Sequence, residues 1–190
     1  MPDVLHMLSI CSSGEPNDSI LIMHNLIPLF QLHTDVDTRV SGIRAAHPDW
    51  PCSKGCDRCC RQLADVPRLT ETEWIVLKQG LEMLDASRLQ AIRRAVAALQ
   101  DAAAPVVCPM LDLESGACPV YVHRPVACRT YGFYVQRALG LYCADIESRV
   151  AGAELDDVVW GNHDVIDRRL EATGEARSLV EWFAQWPERD

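Results

Sequence analysis

The sequence predicts a mainly α-helical fold with one short β-hairpin. Before residue 104, apolar residues recur at helical spacing in three long segments, with polar residues between them. From Val106 to Tyr134 the chain instead consists of short β-branched and aromatic pieces around a turn at Ser115-Gly116, which favours a hairpin. With 48% hydrophobic and 24% charged residues, a chain of 190 residues can bury a core of moderate size.

The first helix is predicted at residues 29–46, after an N-terminal segment, residues 1–28, that we expect to be weakly ordered. The run SSGEPNDS in that segment is rich in turn-forming residues. Met23 is an alternative start to Met1, and it would leave Cys11 outside the functional protein. The apolar positions of the helix follow its period: Leu29, Phe30, Val36, Val40 and Ile43.

Prolines and capping residues predict where the next helices begin. Pro48 and Pro51 end the first helix and hold an extended approach to Cys52. Further along, Thr70 and Glu73 have the spacing of a capping box, in which each side chain hydrogen-bonds to the backbone N–H of the other residue. A second helix is therefore predicted to begin at this point.

A third helix is predicted to begin at Asp85 or Ser87 and to run to about Ala103, before Pro105 ends it. Helix is expected again beyond Pro125, because proline suits the first turn of a helix. The tail has the residues of a helical C-terminal extension that packs on the rest of the chain, namely Trp160, Leu170, Leu179, Trp182 and Phe183.

Four cysteines fall within nine residues, in the run PCSKGCDRCC, and four more follow. Thiols so close in sequence are typical of a shared soft metal ion or an iron–sulfur cluster. The spacing Cys56-x-x-Cys59, with Gly55 before it, suits a tight turn that presents two sulfurs to one metal. We therefore expect residues 29–150 to form a metal-stabilised cysteine-cluster domain, with residues 151–190 as the helical extension. The eight cysteines are Cys52, Cys56, Cys59, Cys60, Cys108, Cys118, Cys128 and Cys143.

Cys59 and Cys60 are adjacent, so their side chains are expected to point apart by about 100° on a helix. Binding the same ion would then be strained, and either one of the two is a spare or they serve neighbouring sites. Eight thiolates suffice for two sites of four cysteines each. They also suffice for one cluster with a redox-active or structural remainder.

The identity of the metal stays open between two alternatives, an iron–sulfur cluster such as [4Fe–4S], or zinc or iron ions. The pairs Cys108-Pro109 and Cys118-Pro119 are typical of iron–sulfur ligands, where proline stiffens the loop. Zinc ribbons usually contain two CxxC knuckles, whereas this chain has one knuckle followed by single cysteines. The irregular spacing fits a cluster at least as well as two zinc ions.

Other polar residues near the cysteines have two interpretations each. Arginines could reduce the cost of burying thiolate charge, or they could be solvated surface residues. His47 and His123 could supply nitrogen ligands, while His163 is predicted to start a helix and Cys11 is interpreted as an incidental thiol. The arginines concerned are Arg58, Arg61, Arg124 and Arg129.

Net charge and the absence of targeting signals exclude several classes of function. A formal charge of −9 argues against non-specific binding to nucleic acid. The start of the chain lacks the features of a secretory signal, and the apolar run at residues 20–30 is too short to span a bilayer, which needs about 20 residues. We expect a cytoplasmic protein whose cysteines are reduced ligands. In an oxidising compartment, the same eight cysteines would instead form four disulfides.

The motifs CSKGCDRCC, LTETEW and CPMLDLESGACPVYVHRPVACRTYGFY occur in that order, followed by Cys143. Over residues 48–145 this arrangement resembles the YkgJ-type cysteine-cluster proteins, also called the CxxCxxCC family of zinc- or iron-chelating domains. One departure is the first gap, Cys-x3-Cys, which affects the role of Cys52. The resemblance implies that the metal ligands are Cys52, Cys56, Cys59, Cys60, Cys108, Cys118, Cys128 and Cys143.

Three functions fit these observations. The first is a metal or iron–sulfur protein with a structural, redox or metal-handling role. The second is a cluster-dependent protein-modifying enzyme, since flagellin lysine N-methylases look like distant relatives, although the chain has no glycine-rich loop for S-adenosylmethionine. The third is a protein-interaction module with structural zinc, in which Trp182 and Trp186 dock a partner.

Overall fold

The computed structural model describes residues 16–137 and 139–187, and this part of the chain is mainly helical. The predictions for residues 1–15, Cys11 among them, lie outside the described residues. The elements in chain order are α1 (Pro16–Ala46), α2 (Arg58–Arg61), β1 (Arg68–Thr70), α3 (Glu71–Glu82), α4 (Ala86–Ala97), a 3-10 turn (Tyr121–His123), α5 (Val126–Thr130), β2 (Tyr134–Gln136), β3 (Leu139–Leu141), α6 (Ala144–Ala151), β4 (Gly161–Asn162), α7 (His163–Glu171), β5 (Ala176–Ser178) and α8 (Leu179–Ala184).

Helix α1 is longer than the helix predicted from the sequence. It begins at Pro16 instead of residue 29, so residues 16–28, assigned above to the N-terminal segment, belong to it, and Pro28 lies inside it. Its buried apolar side chains recur every three or four residues, which is the spacing of one helix face. They are Leu26, Leu29, Leu32, Val36, Val40 and Ile43.

The predicted starts of the next two helices are confirmed. At α3 the backbone N–H of Thr70 donates to Glu73 Oε2 at 2.9 Å, and the Thr70 hydroxyl accepts from the Glu73 N–H, which is a capping box. At α4 the Asp85 carboxylate accepts from the Arg88 N–H at 2.9 Å. The predicted end of α4 is wrong, because the helix stops at Ala97 and tight turns occupy residues 98–102.

The fold class, mainly α with a short hairpin, is confirmed, but the hairpin lies elsewhere than predicted. Around Ser115 the Asp112 carboxylate accepts backbone N–H groups from Glu114 and Ser115, so this segment is a local turn without a strand ladder. The hairpin is formed instead by β2 and β3, with Tyr134 opposite Leu141. Prolines flank the cysteines of the segment predicted to pair, and a proline cannot donate to a ladder.

Two hydrophobic cores lie on opposite sides of α3. Val76 belongs to the first core, while Trp74 and Leu77 belong to the second. The first core also contains Leu29, Leu32, Val36, Trp50, Val126, Phe133, Tyr134, Ile146, Leu155, Val158 and Ile166. The second also contains Leu69, Leu81, Ile92, Val96, Met110, Val120, Leu179, Trp182, Phe183 and Trp186.

The C-terminal residues contribute to both cores. Helix α7, which begins at His163 as predicted, packs into the first core through Ile166. Strand β5 pairs antiparallel with β1, and Trp182 Nε1 donates to the Leu69 carbonyl at 2.9 Å in the second core. Trp182 and Trp186 are each only 7% exposed, so the tryptophans considered above for docking a partner are core residues. Within the described ranges, no helix has the length and apolar character needed to cross a membrane.

Candidate metal centre

The described part of the structure contains eight cysteines. Four of them occupy the stretch between α1 and β1, and the others come from the loops and short helices between α4 and α6. All eight are free thiols; Cys128 is exposed and the other seven are half-buried. Cys52 and Cys143 pack against the first core, whereas Cys108 and Cys118 pack against the second.

A tight turn and a short helix arrange the first four cysteines. Gly55 has a φ of +99°, a conformation that suits glycine, and the Cys56 N–H donates to the Ser53 carbonyl at 3.1 Å. Helix α2 then presents Cys59 and Cys60, whose Sγ atoms lie 4.0 Å apart. The two sulfur atoms thus lie close together, although adjacent positions on a helix were expected to point the side chains apart.

We call Cys52, Cys56, Cys59 and Cys143 the first cysteine group, because these thiols interact around Cys52. Burial, followed by negative charge on Cys143, Cys56 and Cys59, raises the pKa of Cys52 to about 12. The Arg44 guanidinium opposes this shift, and its Nη2 donates to the Cys52 carbonyl at 2.9 Å.

We call Cys60, Cys108, Cys118 and Cys128 the second cysteine group. A hydrogen bond with the Cys108 thiol, burial, and the charges of Cys108 and Cys118 raise the pKa of Cys60 to about 12, while a hydrogen bond with the Cys59 thiol opposes the shift. The backbone is also joined here, because the Cys108 N–H donates to the Cys60 carbonyl at 2.7 Å. Cys128 interacts electrostatically with Cys60 and Cys118.

The raised pKa values of Cys52, Cys59, Cys60, Cys118 and Cys128 mean that these thiols hold their protons at neutral pH when no cation is bound. A metal cation reverses this balance, since a coordinating thiol is deprotonated outright. The crowding of thiols is thus unfavourable for isolated thiolates and favourable for thiolates that share positive metal charge.

Two of the four arginines identified in the sequence lie at the second cysteine group. Arg124 stacks over the Tyr121 ring at 3.5 Å and opposes the burial that raises the pKa of Cys118. Its Nε has no hydrogen-bond partner among the described residues. Arg129 holds Arg124 in place by donating to its carbonyl at 3.0 Å, and it pairs with Asp37 at 2.9 Å.

The other two arginines of the sequence prediction pair with carboxylates. Arg58 Nη1 lies 2.7 Å from Asp145 Oδ1 at the start of α6, which ties α2 to the helix that follows Cys143. Arg61 Nε lies 2.6 Å from Asp57 Oδ2, one helical turn back. These pairs brace the backbone on either side of Cys59 and Cys60.

The candidate histidine ligands make other contacts. His47 Nε2 lies 3.9 Å from Asp157 Oδ1, and its ring packs against Trp50. His123 packs against α3 at Gly80, where an added Cβ would lie 2.6 Å from His123 Cγ. Burial, followed by the charge of Arg129, lowers the pKa of His123.

Sequence reasoning missed three residues that adjoin the first cysteine group. Gly132 has a φ of +84°, and a Cβ added to it would lie 2.5 Å from Cys52 Sγ. The pKa of Tyr131 is raised by burial and then by the charges of Cys59, Cys143 and Cys52. The third residue is Arg44. Of the three, only Gly132 could have been singled out from the sequence, because a glycine within an aromatic run often marks a close contact.

The donor set of the two groups consists of thiols, which suit zinc, iron ions and iron–sulfur clusters. Within the described residues, no three His, Cys, Asp or Glu side chains converge tightly enough in this structure to hold a metal ion. The sulfurs would therefore have to move inward to reach metal–sulfur distances of about 2.3 Å. Chemically, the residues present fit such a metal.

Residues 51–150 match a protein-family model, CxxCxxCC, which is described as a putative zinc- or iron-chelating domain. The match covers just over half of the chain and contains all eight cysteines of the two groups. No curated protein and no solved structure matches the chain.

Proposed function

We propose, because this chain belongs to the CxxCxxCC family, that its two cysteine groups hold zinc or iron and thereby fix the packing of the two cores. The observations that support the proposal are the 4.0 Å contact between the Cys59 and Cys60 sulfurs and the free thiols from separate segments that border both cores. Cysteines used only as small hydrophobes would be distributed through the cores. Here they border both.

A structural role follows from where the thiols lie. The segments that carry Cys108, Cys118 and Cys143 are loops and helix starts with little regular structure of their own. Metal bonds to such segments close long loops and couple metal binding to folding. We propose that the metal fixes these segments against α2.

The chemical form that we favour is iron–sulfur. The Cys-Pro pairs at Cys108 and Cys118, the irregular spacing, and Arg124 beside the second cysteine group support this choice. A bound cluster would supply one-electron redox chemistry, and bound zinc ions would supply structure without redox change. The cytoplasm is the compartment we propose, because it keeps thiols reduced and available.

Anaerobic purification followed by elemental analysis and visible spectroscopy tests the proposal. We expect stoichiometric metal, and for the iron–sulfur form a brown protein with broad visible absorbance and matching iron and sulfide. Colourless protein that contains only zinc would contradict the iron–sulfur form and would still support metal binding. Protein isolated without zinc or iron, and unable to take them up after reduction, would contradict the proposed function.

A further inference from the structure

We infer that helix α1 positions two candidate metal ligands, Cys52 and Cys128, through its side chains Arg44 and Asp37. The helix precedes residues 51–150, so the inference concerns residues that the family model does not include. It rests on the proposed function and extends it, because it names residues that hold the ligand segments without being ligands themselves.

Arg44 holds the backbone of Cys52. Its Nε and Nη2 donate to the Cys52 carbonyl at 3.2 and 2.9 Å, so two donors of one guanidinium bind the same oxygen. The guanidinium also lies over the Phe133 ring, with Cζ 5.1 Å from the ring centroid. Phe133 follows Gly132, the residue that approaches the Cys52 sulfur. The carbonyl of Cys52 is therefore held by α1, while its sulfur lies against the segment on which Arg44 packs.

Asp37 holds the segment that carries Cys128. The Asp37 carboxylate accepts from Arg129 Nη1, with oxygen distances of 2.9 and 3.2 Å. The other two nitrogens of Arg129 donate to the carbonyls of Arg124 and Val122, at 3.0 and 2.6 Å. The Arg129 side chain is only 9% exposed, and it directly follows Cys128 in α5. One buried guanidinium therefore ties α5, and the turn before it, to α1.

The two contacts start from the same face of one helix. Asp37 and Arg44 are seven residues apart, which corresponds to about two helical turns and a rise of about 10 Å. The neighbouring side chains Val36, Val40 and Ile43 are buried in the first core, so packing holds this part of α1 in place. The helix thus sets the spacing between two ligand segments that are far apart in sequence.

The backbone positions of the ligands matter because the sulfurs have to move inward to bind a metal. Rotation of a cysteine side chain can bring its sulfur to the metal only when the backbone holds the residue at the right place. Residues that orient metal ligands without touching the metal typically change metal affinity by about 10–100-fold when they are replaced. Loss of the Arg44 or Asp37 contact should therefore weaken metal retention.

Matched substitutions of aspartates on α1 test the inference. Asp37→Asn removes the ion pair with Arg129. Its control, Asp35→Asn, removes the ion pair with Arg169 of α7, a helix that contains no cysteine. The two aspartate side chains are 55% and 54% exposed, and the ion-pair distances are 2.9 and 2.7 Å. The two changes therefore differ mainly in which segment they release.

A second pair of variants keeps the test valid should Asp37→Asn fail to fold. Arg44→Lys retains the positive charge and loses the paired donors that bind the Cys52 carbonyl. Its control is Arg39→Lys, because Arg39 Nη1 donates to the Val159 carbonyl at 3.0 Å, in a loop between α6 and β4 that contains no cysteine.

The first measurement is the rate at which metal is lost to excess chelator. Anaerobically purified proteins are used, and the zinc and iron that remain bound are followed by elemental analysis. We expect about tenfold faster loss from Asp37→Asn and Arg44→Lys, and wild-type rates from Asp35→Asn and Arg39→Lys. Equal rates for each variant and its control would overturn the inference and leave metal binding in place. A wild-type protein without zinc or iron would instead contradict the proposed function.

The second measurement locates the change, which a general loss of stability would not do. Each protein is alkylated without chelator, and the modified cysteines are identified by peptide mass spectrometry. Relative to the matched control, Cys128 should gain reactivity most in Asp37→Asn, and Cys52 should gain it most in Arg44→Lys. A uniform gain over all eight cysteines would overturn the inference, because it would show that the two residues only stabilise the fold.

Discussion

Cys52 and Gly132 show how closely the backbone approaches a candidate ligand. Gly132 is in the left-handed region, its N–H donates to the Leu141 carbonyl at 2.6 Å, and its missing side chain makes room for the Cys52 sulfur. The backbone of Gly132 thus limits where the Cys52 sulfur can lie. The position of Cys52 therefore depends on a residue 80 positions away that carries no metal-binding chemistry.

Replacing Gly132 with alanine is expected to displace the Cys52 sulfur. The new Cβ would lie 2.5 Å from Sγ, and a left-handed φ of +84° disfavours any side chain. We expect a loss of about 1–3 kcal/mol in the free energy of unfolding. We also expect weaker metal retention by the first cysteine group, measured by denaturant unfolding and by metal content after dialysis against chelator.

Gly42→Ala is the matched control for this substitution. Gly42 lies within α1, and an added Cβ would have no atom within 4 Å. Alanine there is expected to stabilise the helix by up to about 1 kcal/mol and to leave metal content unchanged. If Gly132→Ala lowered neither the free energy of unfolding nor the metal content, as expected for Gly42→Ala, the close approach of Gly132 to Cys52 would not contribute to stability or metal binding.

Helix α3 contributes residues to both hydrophobic cores, and a side chain in its first turn also binds the start of α5. Glu73 is buried, and its carboxylate accepts from the Thr70 N–H at 2.9 Å and from the Val126 N–H at 2.8 Å. One side chain thus caps α3 and fixes the start of α5, the helix that carries Cys128. Burial raises the pKa of Glu73, and its hydrogen bonds oppose that shift without cancelling it.

The stability of the wild-type protein relative to Glu73→Gln is expected to depend on pH. Because the folded-state pKa of Glu73 lies above its ordinary value of 4.5, folding favours the protonated carboxyl. Below pH 4.5 the two proteins should therefore differ least, since a protonated carboxyl resembles an amide. As pH rises through the folded-state pKa, the wild-type protein should lose stability relative to the variant.

Denaturant unfolding of both proteins at matched pH values measures this difference, and effects common to both, metal release included, cancel in the comparison. Glu114→Gln, at an exposed turn, is the control and should follow the wild-type protein at every pH. A wild-type protein that gained stability relative to Glu73→Gln with rising pH would show that the hydrogen bonds outweigh burial.

At the scale of elements, local chemistry in the sequence determined some boundaries and not others. The capping box of Thr70 and Glu73, the cap at Asp85 and the proline at position 125 predicted helix starts, because a cap acts over three or four residues. The hairpin was misplaced because strand pairing depends on partners distant in sequence, such as β4 beside β2. The β-branched residues between Val106 and Tyr121 resemble a strand pair until Asp112 and the prolines satisfy that backbone locally.

For the candidate site, too, the sequence predicted some residues and not others. Spacing singled out the eight cysteines, and in the structure the sulfurs of Cys59 and Cys60 lie 4.0 Å apart. Which core a cysteine borders could not be read from spacing, because it depends on how each loop packs. Gly132, Tyr131 and Arg44 were missed for the same reason, since tertiary packing alone brings them to the cysteines.

The described residues form two hydrophobic cores, with Cys52 and Cys143 beside the first and Cys108 and Cys118 beside the second. The chain's formal charge of −9 would become more negative on metal binding, because four thiolates carry more negative charge than one divalent cation neutralises. Each core has its own aromatic cluster, with Trp50 stacked on Phe133 in the first and Trp74 stacked on Trp182 in the second. Metal binding by cysteines that border both cores is therefore expected to contribute to global stability.

Cys56→Ser tests this contribution. Removing one thiol of the first cysteine group should cost metal and lower the midpoint of thermal unfolding, because metal binding is coupled to folding. A loss of about 2 kcal/mol corresponds to a shift of about 4–8 °C for a chain of this size. Cys11→Ser, outside both groups, is the control and should leave the midpoint unchanged. Identical midpoints for the two variants would show that the metal does not contribute to the stability of the fold.

Counting reactive thiols before and after metal removal tests most directly whether the eight cysteines share bound metal. The measurement uses anaerobically purified wild-type protein, an alkylating reagent without reductant, and peptide mass spectrometry. We predict that the cysteines of both groups stay unmodified in the native protein and become alkylated once a chelator has removed the metal. Cysteines already reactive before chelation, or still protected after it as disulfides would be, would contradict a metal-bound cluster of thiols.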